Sequence, residues 1–400
     1  MISLADARSY VLSGCTPLES ASVPLQSALG CVAAERVESS EPLPPFANTA
    51  MDGYAVRAAD TVGAPVELDV VGFIAAGASG LDVHVGDGQA ARIMTGAPMP
   101  AGADAVVMVE RTVDLGARVR IEVSVEVGQS VRPAGDDLQV GDAVVDVGDV
   151  LTPAHLGLLA TVGRREVSVV RRPRVGVLST GDELVDGPAT LAPGQIRDSN
   201  RPTLCALVTQ AGFEAIDLGT ARDDEAVIER ALRDGVASCD ALITSGGVSM
   251  GDLDYVKVVL DRIGDMRWMQ VAIKPAKPLA FGTVDGTPVF GLPGNPVSSA
   301  VSFELFARPG LRRLAGFGDA SLVRAPVRAV AGEAFDRTGD GKTHFVRVRV
   351  SVEGGRYVAR SAGGQGSHQL AGLAAANALA VLHDGAGVGA GDDVEVLLLG

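Results

Sequence analysis

Aromatic residues are scarce in this sequence, at 4% of 400 residues, although hydrophobic residues as a group make up 47%. The cores must therefore be filled by Val, Leu, Ile and Ala. Cysteine is also scarce. The chain has four cysteines, which are scattered and form no Cys-x-x-Cys pair. That spacing argues against a metal centre held by protein thiolates and favours buried, unpaired cysteines.

Long apolar runs are missing too. No apolar segment approaches the roughly 20 residues that a membrane-spanning helix needs. The opening residues contain no basic stretch followed by a long apolar run, so no signal peptide is predicted. We therefore expect a cytoplasmic protein with no membrane association.

Positive charge is in the minority, with 34 Lys and Arg against 49 Asp and Glu, for a net charge of −15. A chain this acidic repels a phosphate backbone, which argues against general nucleic-acid binding. Small anions can still bind where backbone N–H groups and a few basic side chains converge. The five histidines are isolated and no His-Glu-x-x-His motif occurs, so metal-dependent hydrolysis has no support.

The chain changes pattern several times, which predicts several domains. Residues 1–38 are patterned as helices, first in SLADARSYVLS, with Ser3 as cap and Asp6 in the opening turn, then in LQSALGCVAAERV. Residues 42–138 contain short β-branched runs broken by Gly, Pro and Asp and predict an all-β insertion. The following segment returns to a helix that begins at Thr152 and Pro153.

Residues 172–315 alternate strands with helices, which is typical of a parallel sheet covered by helices on both faces. The predicted strands are RVGVLST, EAIDLG, DALITSGG and PVFGLPG. The predicted helices are SNRPTLCALVTQAG, capped near Ser199 or Asn200, DDEAVIERALRDG, ended by Gly235, DLDYVKVVLDRIG and PVSSAVSFELFARPG. Beyond residue 320 only strands are predicted, in the pattern of a small β-barrel or sandwich.

Ligands of parallel α/β sheets bind outside the carboxyl ends of the strands. Four loops occupy that position, at residues 179–184, 245–254, 274–278 and 291–299. In the first loop, the carboxylates of Asp182 and Glu183 suit Mg²⁺, although acids are equally typical of a helix start. In the second, Gly246 and Gly247 let backbone N–H groups approach a phosphate, and binding is favoured over a simple turn.

Two interpretations stay open for each of the remaining loops, at residues 274–278 and 291–299. Lys274 and Lys277 suit a phosphate or another oxyanion, or else form a solvated surface pair. Asn295 and Pro296 fit the cap and first residue of a helix, so residues 291–299 form at least a strand-to-helix turn. Three strings outside this domain, at residues 45–55, 95–100 and 132–137, place polar groups beside Gly or Pro. Each of these, taken alone, is more typical of a structural turn.

Taken together, the strings resemble the molybdopterin molybdenumtransferases, that is, the MoeA family and the gephyrin E domain. PPFANTAMDGYAV, MTGAPMPAGADAVV, RPAGDD, STGDEL, SGGVSMGDLDY, IKPAKP and GLPGNPVSS follow the family's order and spacing across essentially the whole chain. The resemblance implies a multidomain α/β plus β fold that forms an elongated dimer. Its implied parts are an N-terminal/linker dimerisation domain (residues 1–40 and 139–171), an inserted β domain (41–138), a central parallel-sheet molybdopterin-binding α/β domain (172–316) and a C-terminal β-barrel domain (317–400).

The resemblance also implies a reaction in molybdenum cofactor biosynthesis. Molybdenum is inserted into molybdopterin from molybdate, the adenylated molybdopterin is cleaved with release of AMP, and Mg²⁺ assists. The implied partners are a second copy of the chain and the molybdopterin adenylyltransferase. In family dimers the inserted domain of one subunit lies near the α/β domain of the other, so acids far apart in sequence would share one cleft.

Site residues are carried over by motif match. The implied catalytic residues are Asp52, Thr95, Asp137, Glu183, Asp223 and Asp254, of which Glu183 and Asp254 would also bind the metal. The implied substrate-binding residues are Ser179, Thr180, Gly181, Asp182, Ser245, Gly246, Gly247, Ser249, Lys274, Lys277, Pro293, Gly294, Asn295, Pro296, Ser298, Arg347 and Ser367. Acids holding a divalent cation would neutralise a pyrophosphate under attack.

Three positions depart from the family's usual residues. Thr49 stands where Ser is common and keeps the hydroxyl. Ala276 stands where Gly is usual, which costs roughly 1 kcal/mol if the loop needs a positive φ. Gln270 replaces a basic residue of some relatives. Two other functions compete with insertion: the adenylyltransferase, which resembles residues 172–315 alone, and a non-catalytic gephyrin-like scaffold, which the retained acids disfavour.

Overall fold

The structure is a computed structural model that describes residues 1–248 and 255–400. The chain folds into two compact units. The larger unit comprises Met1–Ala34, Gly148–Thr152 and Glu166–Gly400, and the smaller unit comprises Glu35–Val147 and Pro153–Arg165. The finer division into four domains stays a prediction.

A six-stranded sheet forms the centre of the larger unit. Its strands are β1 (Arg174–Thr180), β2 (Glu214–Ala221), β3 (Ala241–Ser245), β4 (Gly264–Gln270), β5 (Pro278–Val284) and β6 (Thr287–Leu292). The strand order is β2-β1-β3-β6-β5-β4. The first four strands pair in parallel, whereas β5 pairs antiparallel with both β6 and β4. The predicted parallel sheet is confirmed, and the sequence analysis missed β5 and the edge strand β4.

Helices cover both faces of this sheet, as predicted. They are α1 (Asn200–Gln210), α2 (Glu225–Ser238), α3 (Tyr255–Ile263), α4 (Pro296–Ser302) and α5 (Arg308–Leu314), the last two joined by a π-helical turn, Phe303–Ala307. On one face, Val177 and Ile243 pack with Leu204 of α1. On the other, Leu178 packs with Ile228 of α2. Burial on both faces explains why β1 and β3 are mostly apolar.

The predicted start of α1 is confirmed, because Ser199 occupies the N-cap position and the helix begins at Asn200. The capping side chain is that of Asp198, whose Oδ1 accepts hydrogen bonds from the backbone N–H groups of Asn200 and Arg201, each at 3.1 Å. One predicted helix end was wrong. Helix α2 does not end at Gly235 but continues to Ser238. A Cβ on Gly235 would lie 2.9 Å from Leu218 Cδ1. This glycine therefore allows the helix to pack closely on the sheet and does not stop it.

The N-terminal helix Leu4–Ser13 is confirmed, with the Ser3 hydroxyl accepting a hydrogen bond from the Asp6 N–H at 3.0 Å. The second predicted helix is wrong, because only the turn Leu25–Ser27 is helical. Val32 and Ala33 instead form isolated bridges with Val150 and Val169. Tertiary pairing overrides the local helical pattern here. Nearby, Ser20–Pro24 pairs with Glu166–Val170.

The C-terminal strands close into a five-stranded barrel, which confirms the barrel over the sandwich. They are Val327–Ala331, Thr343–Glu353, Arg356–Ser361, Ala378–Leu382 and Asp393–Leu398. The long strand Thr343–Glu353 pairs with Arg356–Ser361 and with Ala378–Leu382, which closes the ring. A short helix, Leu370–Ala375, follows a glycine-rich loop. The barrel also receives a small strand, Ile273–Lys274, from the α/β domain.

The smaller unit is built mainly of strands, as predicted. Its six-stranded sheet contains Gly53–Val56, Val66–Ile74, Gln89–Ile93, Ala105–Met108, Thr112–Asp114 and Arg118–Ile121. Two short pairs join Asn48–Thr49 with Val131–Arg132 and Val37–Glu38 with Ala143–Val145. The predicted helix is present at Pro153–Thr161. Among the helices of residues 1–248 and 255–400, none has the length and apolarity to span a bilayer.

Candidate functional site

The carboxyl ends of the parallel strands meet at one edge of the α/β sheet. Ser179 of β1 lies opposite Ser245 of β3, which lies opposite Leu292 of β6. Pro278 begins β5 at the same end, because Ala280 already lies opposite Gly291. The predicted loops therefore converge at this ligand edge, together with residues 271–277, which we call the lysine loop.

The loop after β3 requires its two glycines. Gly246 and Gly247 have φ values of 94° and 73°, which residues with a Cβ rarely adopt. A Cβ on Gly247 would also lie 2.3 Å from the Val256 Cβ of α3. The close approach of bare backbone supports the predicted phosphate contact. Ser249 and Asp254, also predicted for this loop, lie outside the described residues.

Asn200 is a site residue that the sequence analysis interpreted only as a possible helix cap. Its Nδ2 donates hydrogen bonds to Ser245 Oγ at 2.8 Å and to the Gly294 carbonyl at 2.7 Å. One amide group thus links the loops that follow β3 and β6. Its Oδ1 is buried and has no hydrogen-bond partner among the described residues. Only the position of Asn200 at the start of helix α1 hinted at this role.

Three acids lie together at the ligand edge. The backbone N–H of Asp182 donates to Asp223 Oδ2 at 3.3 Å, and that of Asp223 donates to Asp182 Oδ1 at 3.2 Å. A Cβ on Gly181 would lie 2.4 Å from Glu183 Oε2, so the Glu183 carboxylate folds back over this glycine. All three carboxylates are solvent-exposed. Their oxygen chemistry fits Mg²⁺, although no three His, Cys, Asp or Glu side chains of the described residues form a complete metal site.

The lysine loop is held on both sides. The Ile2 N–H donates to the Gln270 carbonyl at 2.8 Å, and the Thr343 N–H of the barrel donates to the Ala272 carbonyl at 3.0 Å. Lys274 pairs with His344 of the same barrel strand. Lys274 and Lys277 both remain exposed, so their ammonium groups are available to an anion at this edge.

Ala276 has a φ of 72°, so the loop does require the backbone conformation that favours glycine. We expect Ala276→Gly to stabilise the protein by about 1 kcal/mol, because the left-handed strain of alanine is removed. The measurement is the urea midpoint at an unchanged denaturant slope. Ala272→Gly is the matched control, since Ala272 has no positive φ and its replacement is expected to destabilise. An unchanged or lower midpoint for Ala276→Gly would contradict the prediction.

Arg347 is the most unusual basic residue of the larger unit, because it is fully buried in the barrel. Its Nη2 donates to the Gly364 carbonyl at 2.6 Å and to the Gly366 carbonyl at 3.2 Å. Its Nε and Nη1 have no hydrogen-bond partner among the described residues, and burial lowers the pKa of its guanidinium. An unpaired buried cation is costly and is well suited to receive an anion.

The glycine-rich loop that contacts Arg347 reaches the ligand edge. The Ser367 carbonyl accepts a hydrogen bond at 3.0 Å from the Val297 N–H, in the first turn of α4. Ser298, the next residue of α4, is buried. Arg347 lies on the barrel strand Thr343–Glu353, and Lys274 lies on the short strand that pairs with it. Arg347 and Ser367, the two barrel residues that the resemblance implied, therefore lie next to the α/β site.

In the smaller unit, the predicted strings converge. Asp52 Oδ1 accepts hydrogen bonds from the Thr95 N–H and the Thr95 hydroxyl, both at 2.7 Å. These two hydrogen bonds hold the pKa of Asp52 below its usual value, and the bond from the Thr95 backbone N–H has the larger effect. Thr49 is fully buried, and its hydroxyl bonds to the backbone of Met51. Asp137 is exposed, and its N–H donates to the Leu43 carbonyl at 2.9 Å.

Gly53, beside Asp52, has a structural role. A Cβ at this position would lie 2.0 Å from the Val107 carbonyl oxygen on the neighbouring strand. We expect Gly53→Ala to destabilise the smaller unit by about 3 kcal/mol, since backbone must move to admit the methyl group. Limited proteolysis followed by mass spectrometry checks this. Gly157→Ala, in the helix Pro153–Thr161, meets nothing within 4 Å and should not increase cleavage. Equal protease resistance of Gly53→Ala and wild type would refute the expectation.

One edge of the α/β domain carries bare glycine backbone, lysines and carboxylates, and the adjoining barrel holds a buried arginine with no carboxylate partner among the described residues. This combination defines a protein that binds a small phosphate-bearing or oxyanionic molecule. Comparison with known families agrees. Residues 2–163 match the MoeA N-terminal region (domain I and II), residues 176–313 a probable molybdopterin binding domain, and residues 328–399 the MoeA C-terminal region (domain IV).

Relatives that match the chain over nearly its full length are named molybdopterin molybdenumtransferases. The chain is 38% identical over 400 residues to a molybdopterin molybdenumtransferase of Haemophilus influenzae, covering 99% of this chain and 98% of the relative. It is 40% identical to molybdopterin molybdenumtransferase 2 of Mycobacterium tuberculosis, covering 96% of each. The crystal structure of the molybdopterin biosynthesis MoeA protein from Pyrococcus horikoshii OT3 superposes with a TM-score of 0.83 at 28% identity, covering 100% of both chains. The chain belongs to the MoeA family of molybdopterin molybdenumtransferases.

Proposed function

We propose that this protein inserts molybdenum into molybdopterin, using molybdate and adenylated molybdopterin and releasing AMP. The observation that carries the proposal is the convergence of anion-binding groups at the ligand edge: the glycine backbone of residues 246–247, two exposed lysines and the buried Arg347. The test is incubation of the pure protein with adenylated molybdopterin, molybdate and Mg²⁺. Absence of both AMP release and active cofactor would refute the proposal.

The described residues have distinct roles in this proposal. The N–H groups around Gly246 and Gly247 bind phosphate oxygens, with Asn200 holding this loop against Gly294. Lys274 and Lys277 supply mobile point charges for the oxyanion. Arg347 supplies a fixed planar donor set at the barrel side, with the hydroxyls of Ser298 and Ser367 nearby. The remaining residues of the first and fourth loops shape the pocket: Ser179, Thr180, Pro293, Asn295 and Pro296.

The acids would hold Mg²⁺. Glu183 would bind it together with Asp254, which lies outside the described residues, and Asp182 and Asp223 would support Glu183 at the same edge. When bound, the ion would neutralise charge on the pyrophosphate and polarise its phosphorus. The exposed carboxylates can reach a diphosphate only if a cation lies between, because like charges repel. The Asp182 and Asp223 carboxylates each accept a hydrogen bond from the backbone N–H of the other residue, which holds both side chains in place.

We further propose a cytoplasmic homodimer in which Asp52, Thr95 and Asp137 of one subunit act with the α/β domain of the other, and a delivery step from the molybdopterin adenylyltransferase. Co-refolding of Asp52→Asn with Glu183→Gln tests the dimer. Random pairing should restore about a quarter of wild-type activity, because half of the dimers regain one intact site. Each variant refolded alone is the control. No restoration, with mixed dimers demonstrated by mass spectrometry, would contradict action across subunits.

A further inference from the structure

The helix that leaves the ligand edge contains a rare distortion. Helix α4 begins at Pro296 and continues through the π-helical turn Phe303–Ala307 into α5. Turns of this kind are uncommon and occur frequently at functional sites. Here the turn places Glu304 inside the protein, with 7% of its side chain exposed. This carboxylate lies about 9 Å further along the helix than Ser298, so its burial is not explained by the ligand edge.

Glu304 lines a cavity of 150 Å³, which we call the arginine cavity. Its charged and polar lining residues are Gln210, Glu304, Arg308, Arg312 and Arg324. Three arginines against one glutamate give the cavity a formal charge of +2, in a protein whose net charge is −15. Excess positive charge in so small a space is the signature of a site for a small anion.

Arg308 is buried with weak hydrogen bonds. Its side chain is 11% exposed. Its Nη1 donates to Glu304 Oε1 at 3.5 Å and to the Leu322 carbonyl at 3.4 Å, both longer than the usual distance of about 2.9 Å. The same Glu304 oxygen already accepts a shorter bond, at 2.9 Å, from Arg324 Nε. The Nε of Arg308 is buried and has no partner among the described residues, which is costly for a guanidinium with five N–H donors.

Arg312 is held beside the same space. Its Nε donates to the Ser321 carbonyl at 2.6 Å, and its guanidinium carbon lies 3.7 Å from the centroid of the Phe317 ring. Burial, followed by the charges of Arg308 and Arg324, lowers the pKa of Arg312 to about 10. The arginines therefore repel one another across the cavity, and an added negative charge would relieve that repulsion.

We propose that the arginine cavity binds a tetrahedral oxyanion with two negative charges, of the class of inorganic sulfate and phosphate, between Arg308, Arg312 and Arg324. Two negative charges balance the formal charge of the cavity. The volume lies below the roughly 300 Å³ at which pockets for drug-sized ligands begin, so a small ion fits best. Planar guanidinium groups suit such oxygens. Because Arg324 Nη2 also donates to the Leu399 carbonyl at 3.0 Å, directly after the last barrel strand, the bound ion links α5 to the barrel.

Equilibrium dialysis of the full-length protein with radiolabelled sulfate, at an ionic strength held constant with chloride, counts the ions bound per chain. Arg308→Met should weaken one sulfate site by roughly ten- to a hundred-fold, the usual effect of losing a hydrogen bond between charged groups. Arg312→Met should do the same, so the test does not depend on one variant. The loss should be equal in a Lys274→Ala, Lys277→Ala background, which lacks the ammonium groups of the ligand edge. Competition by unlabelled phosphate and sulfate tells which ion is preferred, and either order supports the site.

Arg328→Met is the matched control. It removes one positive charge from the same unit, but the Arg328 side chain is 85% exposed and does not line the cavity. Its sulfate binding should equal that of wild type. Sulfate should also raise the thermal midpoint of wild type more than that of Arg308→Met, because the general salt effect is common to both. Circular dichroism verifies that each variant is folded.

Two outcomes would overturn the proposal: equal sulfate binding by wild type and a folded Arg308→Met, or no saturable binding of sulfate or phosphate to wild type. If wild type bound neither ion and Arg308→Met changed the molecular mass measured by light scattering, the cavity would receive an acidic side chain of a second copy, and the proposal would be wrong. AMP release from adenylated molybdopterin is measured on the same variants. Arg308→Met leaves the ligand edge in place, so the anion site and the proposed function can fail separately.

Discussion

Replacing Arg347 by Met should lower the turnover of adenylated molybdopterin by about 100-fold or more, while leaving the thermal midpoint nearly unchanged. The guanidinium is fully buried, and the described residues give it no carboxylate partner. Methionine fills a similar volume and relieves the cost of the buried charge, which offsets the two hydrogen bonds lost at Gly364 and Gly366. Activity should therefore fall without a loss of stability.

The measurement is AMP release as a function of molybdate concentration, with thermal unfolding in parallel. Arg349→Met is the control, because Arg349 lies on the same barrel strand, two residues further on, and is exposed. That variant should turn over like wild type. If Arg347→Met unfolded far below wild type, the arginine would be a structural residue. If it kept full activity at low molybdate, its role in anion binding would be wrong.

Asp52→Asn should also lower turnover by about 100-fold or more, with the fold intact. Asp52 is exposed, and asparagine preserves its shape while removing the charge. Its Oδ1 can still accept both hydrogen bonds from Thr95, so the loop geometry should survive. Because only the charge is lost, wild-type activity of Asp52→Asn would exclude Asp52 from the reaction. Circular dichroism and the thermal midpoint provide the folding control.

The hydrogen bonds from Thr95 give this prediction a pH dependence. They lower the pKa of Asp52, so the carboxylate stays charged to lower pH than an ordinary aspartate. The activity that depends on this charge is present above the lowered pKa and is lost as pH falls through it. Thr95→Val removes the hydroxyl donor, so the acid limb of the pH–activity profile should move to higher pH. Thr95→Ser keeps the donor and should restore the wild-type profile.

Much of the α/β architecture could be predicted because its signals are local. Three of the four parallel strands, β1, β3 and β6, are mostly apolar and buried, and the helices between the strands carry their own caps and periodicity. The sequence signals for a strand were weaker in Gly264–Gln270 and Pro278–Val284. GDMRWMQ alternates exposed and half-buried residues, and PLAFGTV begins with proline. Gly264–Gln270 is the edge strand and is half-exposed, so its sequence resembles a loop or an amphipathic helix.

The site was predictable in part for a related reason. Glycine, proline and paired lysines in loops are visible in a sequence, which pointed to the four loops of the ligand edge. Asn200 was missed because its importance comes from a contact with a residue distant in sequence, Gly294. The sequence could not decide whether the loop needs a positive φ at Ala276, and the backbone of the structure shows that it does.

The lysine loop has a consequence for the order in which the protein acquires its structure. Its hydrogen bonds come from Ile2 on one side and from Thr343 on the other, positions separated by most of the chain. Contacts of such large sequence separation close late in folding, because the loop-closure entropy must first be overcome. During synthesis, residues 271–277 emerge from the ribosome well before the barrel strand that holds them. The nascent chain therefore carries both lysines before it can position them, and competence for anion binding arises only after the barrel strand has been synthesised.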